Sequence, residues 1–396
     1  MISISQRAVS RRQGSCPEAA RFHASAAEIG VAWPPKFRHK PRSMKAVLTS
    51  ALSVFGAVAL TAAEAQFAID DPYVGYYEGT FATREGEARV EAQIRSLGSG
   101  AYDGFIAFLS PNNPEKPIMN IGVIEEFRPV AGETNWLNAL QPESLTVKTD
   151  DQTTKLTFPN FPVTGQVSPG LIKGKLAAEL FGQRFTNAFD LVRKAPKPSP
   201  TLGAKPPKGA TVIFDNRDRD QWKEAKWPTV NGALQVGQGN LTTKLALTNS
   251  YLLHLEFRTP HMPEARGQAR GNSGVYLRSV FEVQVLDSFG LFPLADNDCG
   301  GVYQVRPPDW REVNASLPPG EWQTYDITFR EGSMEDNRMP EITVVHNGRT
   351  VVNRAKIPPA LVVNGTGGGE VGGGFLMLQD HGNPVQYRNI WVQPLE

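Results

Sequence analysis

The sequence lacks several features that would define its function at once. It has two cysteines in 396 residues, which excludes a disulfide scaffold and a cysteine-rich zinc site. Its 41 basic residues are balanced by 40 acidic ones, so it lacks the excess positive charge typical of nucleic-acid binding. The motifs Gly-x-Ser-x-Gly and His-Glu-x-x-His do not occur, so the sequence offers no nucleophile elbow and no zincin helix.

Turn-forming residues are abundant instead. The chain has 37 glycines and 31 prolines, and 40% of its residues are hydrophobic. This composition favours short strands joined by tight turns, with enough apolar surface for packed cores. The length predicts two domains of ordinary size.

A segment near the N-terminus has the pattern of a secretory signal. Met44 and Lys45 precede an uncharged apolar run from Ala46 to Ala63, and a small-x-small pattern then ends at Ala65. We interpret residues 44–65 as a signal peptide cleaved before Gln66. We therefore expect a periplasmic or extracellular protein with no stable membrane insertion after cleavage. The alternative is an uncleaved membrane anchor, because the run approaches the length that spans a bilayer.

Residues 1–43 precede this signal and are rich in basic side chains. They hold eight Arg and Lys residues against Glu18 and Glu28, without a clear period. Since a signal peptide normally sits at the true start, we interpret 1–43 as upstream sequence translated from a misassigned start. A long basic leader is the alternative.

The remainder divides into two β-rich regions. In residues 66–193, runs such as Ala88 to Ile94 alternate apolar and polar side chains between turns, which indicates a small antiparallel domain without a catalytic constellation. Residues 194–209 contain five prolines and predict an extended linker. Residues 210–396 contain many short strand-like runs, which predict a two-sheet sandwich.

Three strands of the second region carry many polar residues on one face. Residues two apart in a strand share a face, so Leu255 and Phe257 should point into the core while their neighbours point away. A polar face is either solvated or the floor of a polyol-binding site. The absence of lysine here favours the site. The predicted outward residues are His254, Glu256, Arg258, Tyr276, Arg278, Glu282 and Gln284.

Two turn regions adjoin these strands. Asn272 lies in the turn Gly-Asn-Ser-Gly, and Gln379 and His381 follow a strand-like run that ends at Leu378. His381 has three possible roles on this evidence: a base, a metal ligand or an ordinary loop histidine.

The ordered motifs of the second region resemble a known family. They include Gly271-Asn-Ser-Gly-Val-Tyr-Leu-Arg, Phe281-Glu-Val-Gln-Val-Leu-Asp-Ser and Leu378-Gln-Asp-His-Gly-Asn-Pro-Val. Residues 210–395 are similar to the 3-keto-disaccharide hydrolase domain family. The resemblance implies an all-β chain in which a concanavalin A-like jelly-roll sandwich follows the smaller β domain. It also implies export from a bacterial cytoplasm and cleavage of glycosides oxidised at C3.

The implied chemistry assigns roles to the polar residues. A 3-keto group acidifies the C2 hydrogen, so a base can remove it and the C1 oxygen can then leave. This route needs a base, a proton donor and a positive group at the ketone oxygen. A divalent metal could replace arginine in the last role, and no metal ligand is identified. We assign proton transfer to Glu256, Glu282 and His381, the ketone oxygen to Arg258 and Arg278, and sugar binding to His254, Asn272, Tyr276, Gln284 and Gln379.

Two other interpretations stay open. A laminarinase-like glycosidase would use Glu282 and Asp287 as paired carboxylates, although Gln284 replaces the acidic residue expected between them. A non-catalytic carbohydrate-binding protein is equally compatible with a concanavalin-like fold, because fold does not fix function.

Overall fold

The computed structural model describes residues 64–395, with gaps at 84–85, 111–117, 141–144, 149–152, 157–161, 181–182, 218, 224–225, 310–313, 334, 359–360 and 362–373. The predicted leader and signal peptide lie outside the described residues, except for Glu64 and Ala65. All described residues belong to one compact unit. Within them, no helix has the length and apolarity needed to cross a membrane.

The described residues of the N-terminal region form ten strands. Their bounds are β1 Gly75–Thr83, β2 Gly86–Gly98, β3 Ala101–Leu109, β4 Ile118–Phe127, β5 Asn135–Leu140, β6 Leu145–Lys148, β7 Thr153–Leu156, β8 Val163–Ser168, β9 Leu171–Leu180 and β10 Gln183–Lys194. Strands β6 and β7 pair only with each other, and the others close a barrel in the order β1-β10-β9-β8-β5-β4-β3-β2. All barrel pairings are antiparallel.

Strand β2 shows why this sequence closes into a barrel. Its small and branched residues Val90, Ala92 and Ile94 are fully buried in the barrel core. The alternate residues, such as Glu91 and Gln93, point to the outside because side chains alternate between the faces of a strand. Both are nevertheless buried, so another part of the chain covers this side of the barrel.

The C-terminal region is a sandwich of two antiparallel sheets. Its strands are β11 Thr211–Phe214, β12 Thr229–Val230, β13 Ala233–Gln235, β14 Leu241–Ala246, β15 Tyr251–Arg258, β16 Ser273–Leu277, β17 Phe281–Val285, β18 Gln323–Arg330, β19 Glu341–His346, β20 Arg349–Lys356, β21 Phe375–Leu378 and β22 Gln386–Pro394, with a short 3-10 helix at Gly267–Ala269. The large sheet has the order β12-β13-β22-β15-β18-β19-β20, with β11 beside β22. The small sheet has the order β14-β21-β16-β17.

One apolar core lies between the two sheets. Leu255 and Phe257 of β15 pack into the same buried cluster as Val275 of β16 and Val283 of β17. The cluster also contains Cys299, whose thiol lies 3.1 Å from the Tyr325 hydroxyl. The expected all-β fold with a C-terminal sandwich is confirmed. Because the core lies between the two sheets, their outer faces point in opposite directions.

The proline-rich linker packs on the outer face of the large sheet. The Thr201 hydroxyl donates to Asp326 Oδ2 at 2.7 Å, and the Gly203 amide donates to Glu256 Oε1 at 2.6 Å. The Ala204 carbonyl accepts bonds from Asn389 and Trp391. The segment therefore covers buried polar groups of the sheet.

Barrel and sandwich are joined by buried polar and apolar contacts. Arg270 donates to the Ser96 carbonyl at 2.9 Å and to the Asp287 carboxylate at 2.7 Å. Phe289 of the sandwich region belongs to the apolar cluster of the barrel. These contacts fix the outer face of β2 against the sandwich.

Candidate functional site

The predicted site residues fall into two groups on opposite sides of the sandwich. Because Leu255 and Phe257 enter the core, Glu256 points out from the large sheet. Because Phe281 and Val283 enter the same core, Glu282 points out from the small sheet. The expectation that Glu256 and Glu282 flank one sugar is therefore wrong, since the shared core separates them.

The group on the large sheet is a saturated ionic network. Glu256 is 1% exposed and accepts bonds from Arg388 at 2.6 Å, Asn389 at 2.8 Å and the Gly203 amide at 2.6 Å. His254 is fully buried, with Nδ1 2.7 Å from Asp326 Oδ1. The linker covers this network, so we correct Glu256 and His254 from site residues: Glu256 binds the linker directly, and His254 is joined to it through Asp326.

The two predicted oxyanion arginines are also engaged elsewhere. Arg258 binds the carboxylate of Glu64 at 2.9 and 3.0 Å and donates to Gln386 at 2.8 Å. Arg278 lies in the turn after β16 with a φ of 56° and pairs with Glu331 at 2.9 Å. The predicted role of both arginines at the ketone oxygen stays a prediction.

The group on the small sheet is compact. Tyr276 pairs with Glu282 across β16 and β17, and its hydroxyl donates to Glu282 Oε2 at 2.8 Å. Gln379 donates through Nε2 to the Tyr276 hydroxyl at 3.2 Å. Gln284 donates to Asn272 Oδ1 at 2.8 Å. Five of the predicted residues thus occupy one face: Asn272, Tyr276, Glu282, Gln284 and Gln379. We call them the small-sheet cluster.

Glu282 has the electrostatic character of a proton-transfer group. It is 4% exposed, and burial raises the pKa of its carboxyl to about 7, although the bond from Tyr276 favours the ionised form. Burial and the neighbouring carboxylate raise the pKa of Tyr276 well above its usual value. A carboxyl with a pKa near neutrality can both accept and return a proton, which is typical of catalytic sites.

The cluster also contains an unused polar atom. Gln379 Oε1 is buried without a hydrogen-bond partner. A buried acceptor that is left unpaired costs free energy, so a donor supplied by a ligand would stabilise this site. A sugar hydroxyl is such a donor.

Gly274 leaves room at the centre of the cluster. A methyl group on its Cα would lie 2.4 Å from Glu282 Oε1, 3.0 Å from the Tyr276 ring and 3.1 Å from Gln379 Oε1. Only glycine fits between these three side chains without displacing one of them. The sequence alone indicated an ordinary turn at 271–274, because it does not show that the side chains of Tyr276, Glu282 and Gln379 meet at Gly274.

His381 lies beyond the same end of the small sheet. It is exposed, two residues after Gln379, in a loop whose Asn383 side chain accepts a bond from the Asn272 amide at 2.7 Å. The Asn383 side chain thus joins the loop to the backbone of Asn272 in the cluster. The proton-transfer role of His381 stays a prediction.

Sequence reasoning missed Tyr303 at this site. Its amide donates to the Glu282 carbonyl at 3.0 Å, and Val302 beside it enters the core. The Tyr303 side chain therefore lies on the outer face, near enough to affect the pKa of Tyr276. The segment between Gly300 and Arg306 pairs only through isolated bridges, so it gave no strand pattern.

The other residues with potentially reactive side chains lie away from the small-sheet cluster or are bound by other groups. Asp287 is bound by Arg270 at 2.7 Å and is buried beside the barrel. Burial raises the pKa of the Cys299 thiol to about 11, so it is not a thiolate at neutral pH. Among the described residues, no three His, Cys, Asp or Glu side chains group together as metal ligands.

Comparisons with known proteins agree with the resemblance seen in the sequence. Residues 209–393 match the model of the family described as the 3-keto-alpha-glucoside-1,2-lyase-like domain. This match covers the C-terminal sandwich, confirms the resemblance and places that domain among carbohydrate-active families. A search of curated proteins found no match.

Two solved structures show limited similarity. One, described as a candidate glycosyl hydrolase from Parabacteroides distasonis, has 19% identity and a TM-score of 0.35 over 48% of this chain and 95% of that chain. The other, a mutant of the GH43 protein BlXynB from Bacillus licheniformis, has 7% identity and a TM-score of 0.27 over 79% of this chain and 73% of that chain.

Proposed function

We propose that the C-terminal sandwich cleaves glycosides that carry a ketone at C3, and that Glu282 is the base. The observation that carries this proposal is the Tyr276–Glu282 pair, buried on the outer face of the small sheet, where Glu282 has a pKa of about 7. The description of the matched family names an elimination between C1 and C2 of a 3-keto glucoside, which requires such a base.

The reaction balances without a redox partner. The Glu282 carboxylate removes the C2 proton, and the electron pair moves into the enolate of the C3 ketone. The enolate then forms the C1–C2 double bond and expels the C1 oxygen, which leaves as an alcohol after protonation. Water adds to C1 while C2 regains a proton, so the net result is hydrolysis. Glu282 passes the C2 proton to the leaving oxygen, takes a proton from the water that adds to C1 and returns that proton to C2, so the hydrogen on C2 of the product comes from water.

Neighbouring residues hold Glu282 and the sugar. The Tyr276 hydroxyl fixes one oxygen of Glu282, and Gln379 fixes the Tyr276 hydroxyl. Gln284 and Asn272 hold each other beside this pair, so the floor of the site is ordered before substrate binds. Preorganised groups of this kind lower the reorganisation needed in the transition state.

We also propose that the protein is exported from the cytoplasm. The signal-like pattern at residues 44–65 supports export, with the barrel and sandwich acting outside the cytoplasm. N-terminal sequencing of protein recovered from the periplasm or medium tests this directly, with Gln66 expected as the first residue.

Isotope exchange at C2 tests the reaction. Full-length protein is incubated with 3-keto-trehalose and 3-keto-methyl-glucoside labelled with deuterium at C2, with and without a chelator. We expect cleavage with loss of the C2 label to water. Cleavage with full retention of the label would exclude proton abstraction at C2. Cleavage of unmodified glucans would favour the two-carboxylate glycosidase, and binding without cleavage would favour a carbohydrate-binding protein.

A further inference from the structure

A second cavity lies between the barrel and the sandwich, away from the small-sheet cluster. It has a volume of about 300 Å³. Its walls come from the outer faces of β1 and β2, from the proline-rich linker and from sandwich loops. Its lining includes Tyr76, Glu91, Pro198, Leu317, Pro318 and Asn347. None of them belongs to the small-sheet cluster.

Glu91 is a buried carboxylate with too few partners. It is 1% exposed. Arg89 approaches its Oε1 at 2.5 Å, but the Arg89 side chain is 45% exposed. The Tyr76 phenol also interacts with this carboxylate, while Glu91 Oε2 has no hydrogen-bond partner. Burying a carboxylate is unfavourable unless hydrogen bonds satisfy its oxygens. Glu91 is therefore able to accept hydrogen bonds from a ligand.

The residues around Glu91 are held in place. Gln93, two residues along β2, donates to the Asn314 carbonyl at 2.8 Å and accepts from the Gly290 amide at 3.0 Å. Asn314 is fixed in turn by bonds to the carbonyls of Ser288 and Leu291. The cavity floor is thus ordered without a ligand, which lowers the entropy cost of binding.

The cavity walls alternate apolar and polar surfaces. The Tyr76 ring and the prolines offer flat apolar surfaces, while Glu91 and Asn347 offer hydrogen-bonding groups. A pyranose ring has the complementary pattern, with C–H faces and hydroxyl edges. Specific small-molecule sites combine an apolar lining with a few placed polar groups in this way.

We propose that this cavity is a second carbohydrate site that binds a monosaccharide unit, with Glu91 accepting bonds from two of its hydroxyls. The volume accommodates a single pyranose ring. The Glu91 carboxylate selects hydroxyl donors, and the cationic side chains of Arg89, Lys197 and Arg349 also line the cavity. This site does not depend on Glu282 being catalytic.

Calorimetric titration of the full chain tests the proposal. The protein carries Glu282→Gln to prevent turnover, and the ligands are D-glucose, D-galactose, D-mannose and D-glucuronate. We expect at least one of these sugars to bind at a millimolar concentration or below. In the same background, Glu91→Ala should weaken binding at least about tenfold, since hydrogen bonds to a charged group contribute that much.

Three further variants locate the site. Leu317→Trp should block the cavity sterically without changing Glu91, which keeps the test valid if Glu91→Ala folds poorly. Glu87→Gln, an exposed residue on the same strand, should leave binding unchanged. Gln379→Ala should also leave it unchanged, because Gln379 belongs to the other site. Absence of binding by every sugar, or binding insensitive to both cavity variants, would show that the cavity holds only water.

Discussion

The outer faces of the two sandwich sheets each bury a glutamate, and the two glutamates differ in their partners. Glu256 is held by a guanidinium, an amide side chain and a backbone N–H. Glu282 receives a bond from the Tyr276 hydroxyl, and its pKa is raised to about 7. Strand alternation predicts the same outward position for both. Their chemistry differs because of groups contributed by other segments.

This contrast separates a structural from a reactive carboxylate. A carboxylate with a full set of donors holds its neighbours in place. A carboxyl that is desolvated and bonded to a neutral donor is partly protonated near pH 7. The large sheet thus uses Glu256 to fix the linker, while we propose that the small sheet presents Glu282 for proton transfer.

The largest expected effect separates the two glutamates by activity. Glu282→Gln should lower kcat on 3-keto-trehalose about 10³-fold, because it removes the base. Glu256→Gln should leave the kcat of folded protein within about threefold of wild type, since the apolar core separates it from the small-sheet cluster. Initial rates at matched concentrations of folded protein measure both. Equal losses in the two variants would contradict the assignment.

The effects on stability should have the reverse order, with the larger loss on substitution of Glu256. Glu256→Ala leaves Arg388 and Asn389 without their shared acceptor and loosens the Gly203 contact of the linker. We expect the free energy of unfolding to fall by about 3 kcal/mol, the low end for breaking a buried pair, because the Arg388 side chain is 32% exposed. Urea denaturation measures the loss. An unchanged midpoint would mean that the linker is held by other contacts.

The pH dependence of unfolding sharpens the comparison further. Folding raises the pKa of Glu282 from 4.5 to about 7, so the folded state keeps this proton while the unfolded state releases it. The stabilisation is full below pH 4.5 and is lost as pH rises through 7. We expect a loss of about 2 kcal/mol over this window, less than the full shift implies. Glu282→Gln should remove this part of the pH profile, and an unchanged profile would contradict the raised pKa.

A smaller effect is expected at Gly274, where a side chain would intrude on Glu282. Gly274→Ala places a methyl group 2.4 Å from Glu282 Oε1, so we expect kcat/KM to fall about tenfold as the carboxylate is displaced. The double-mutant cycle with Glu282→Gln provides the control. If Gly274 acts through Glu282, the two losses are not additive, whereas additive losses would indicate an independent role.

The sequence predicted the elements better than their assembly. Alternation in β15 and β17 correctly placed Glu256 and Glu282 away from the core, because a strand has a fixed period of two. It could not tell which sheet each strand joins, since pairing of β15 with β22 and of β16 with β21 links residues more than a hundred positions apart. The covering of Glu256 by the linker was missed for the same reason. Proline content predicts an extended segment but not the surface it packs on.

The smallest expected effect concerns the N-terminal edge of the described chain. Glu64 pairs with Arg258, yet its side chain is 39% exposed, and Arg258 also bonds Gln386 and packs over the Phe67 ring at 4.1 Å. A chain that begins at Gln66, as signal cleavage predicts, should therefore lose less than about 1 kcal/mol relative to one that begins at Glu64, the usual range for exposed ion pairs. Denaturation of the two proteins at low and high salt measures this difference. A loss of several kcal/mol would place Glu64 within the mature fold and would argue against cleavage after Ala65, whereas a small loss leaves Arg258 held mainly by contacts that survive processing.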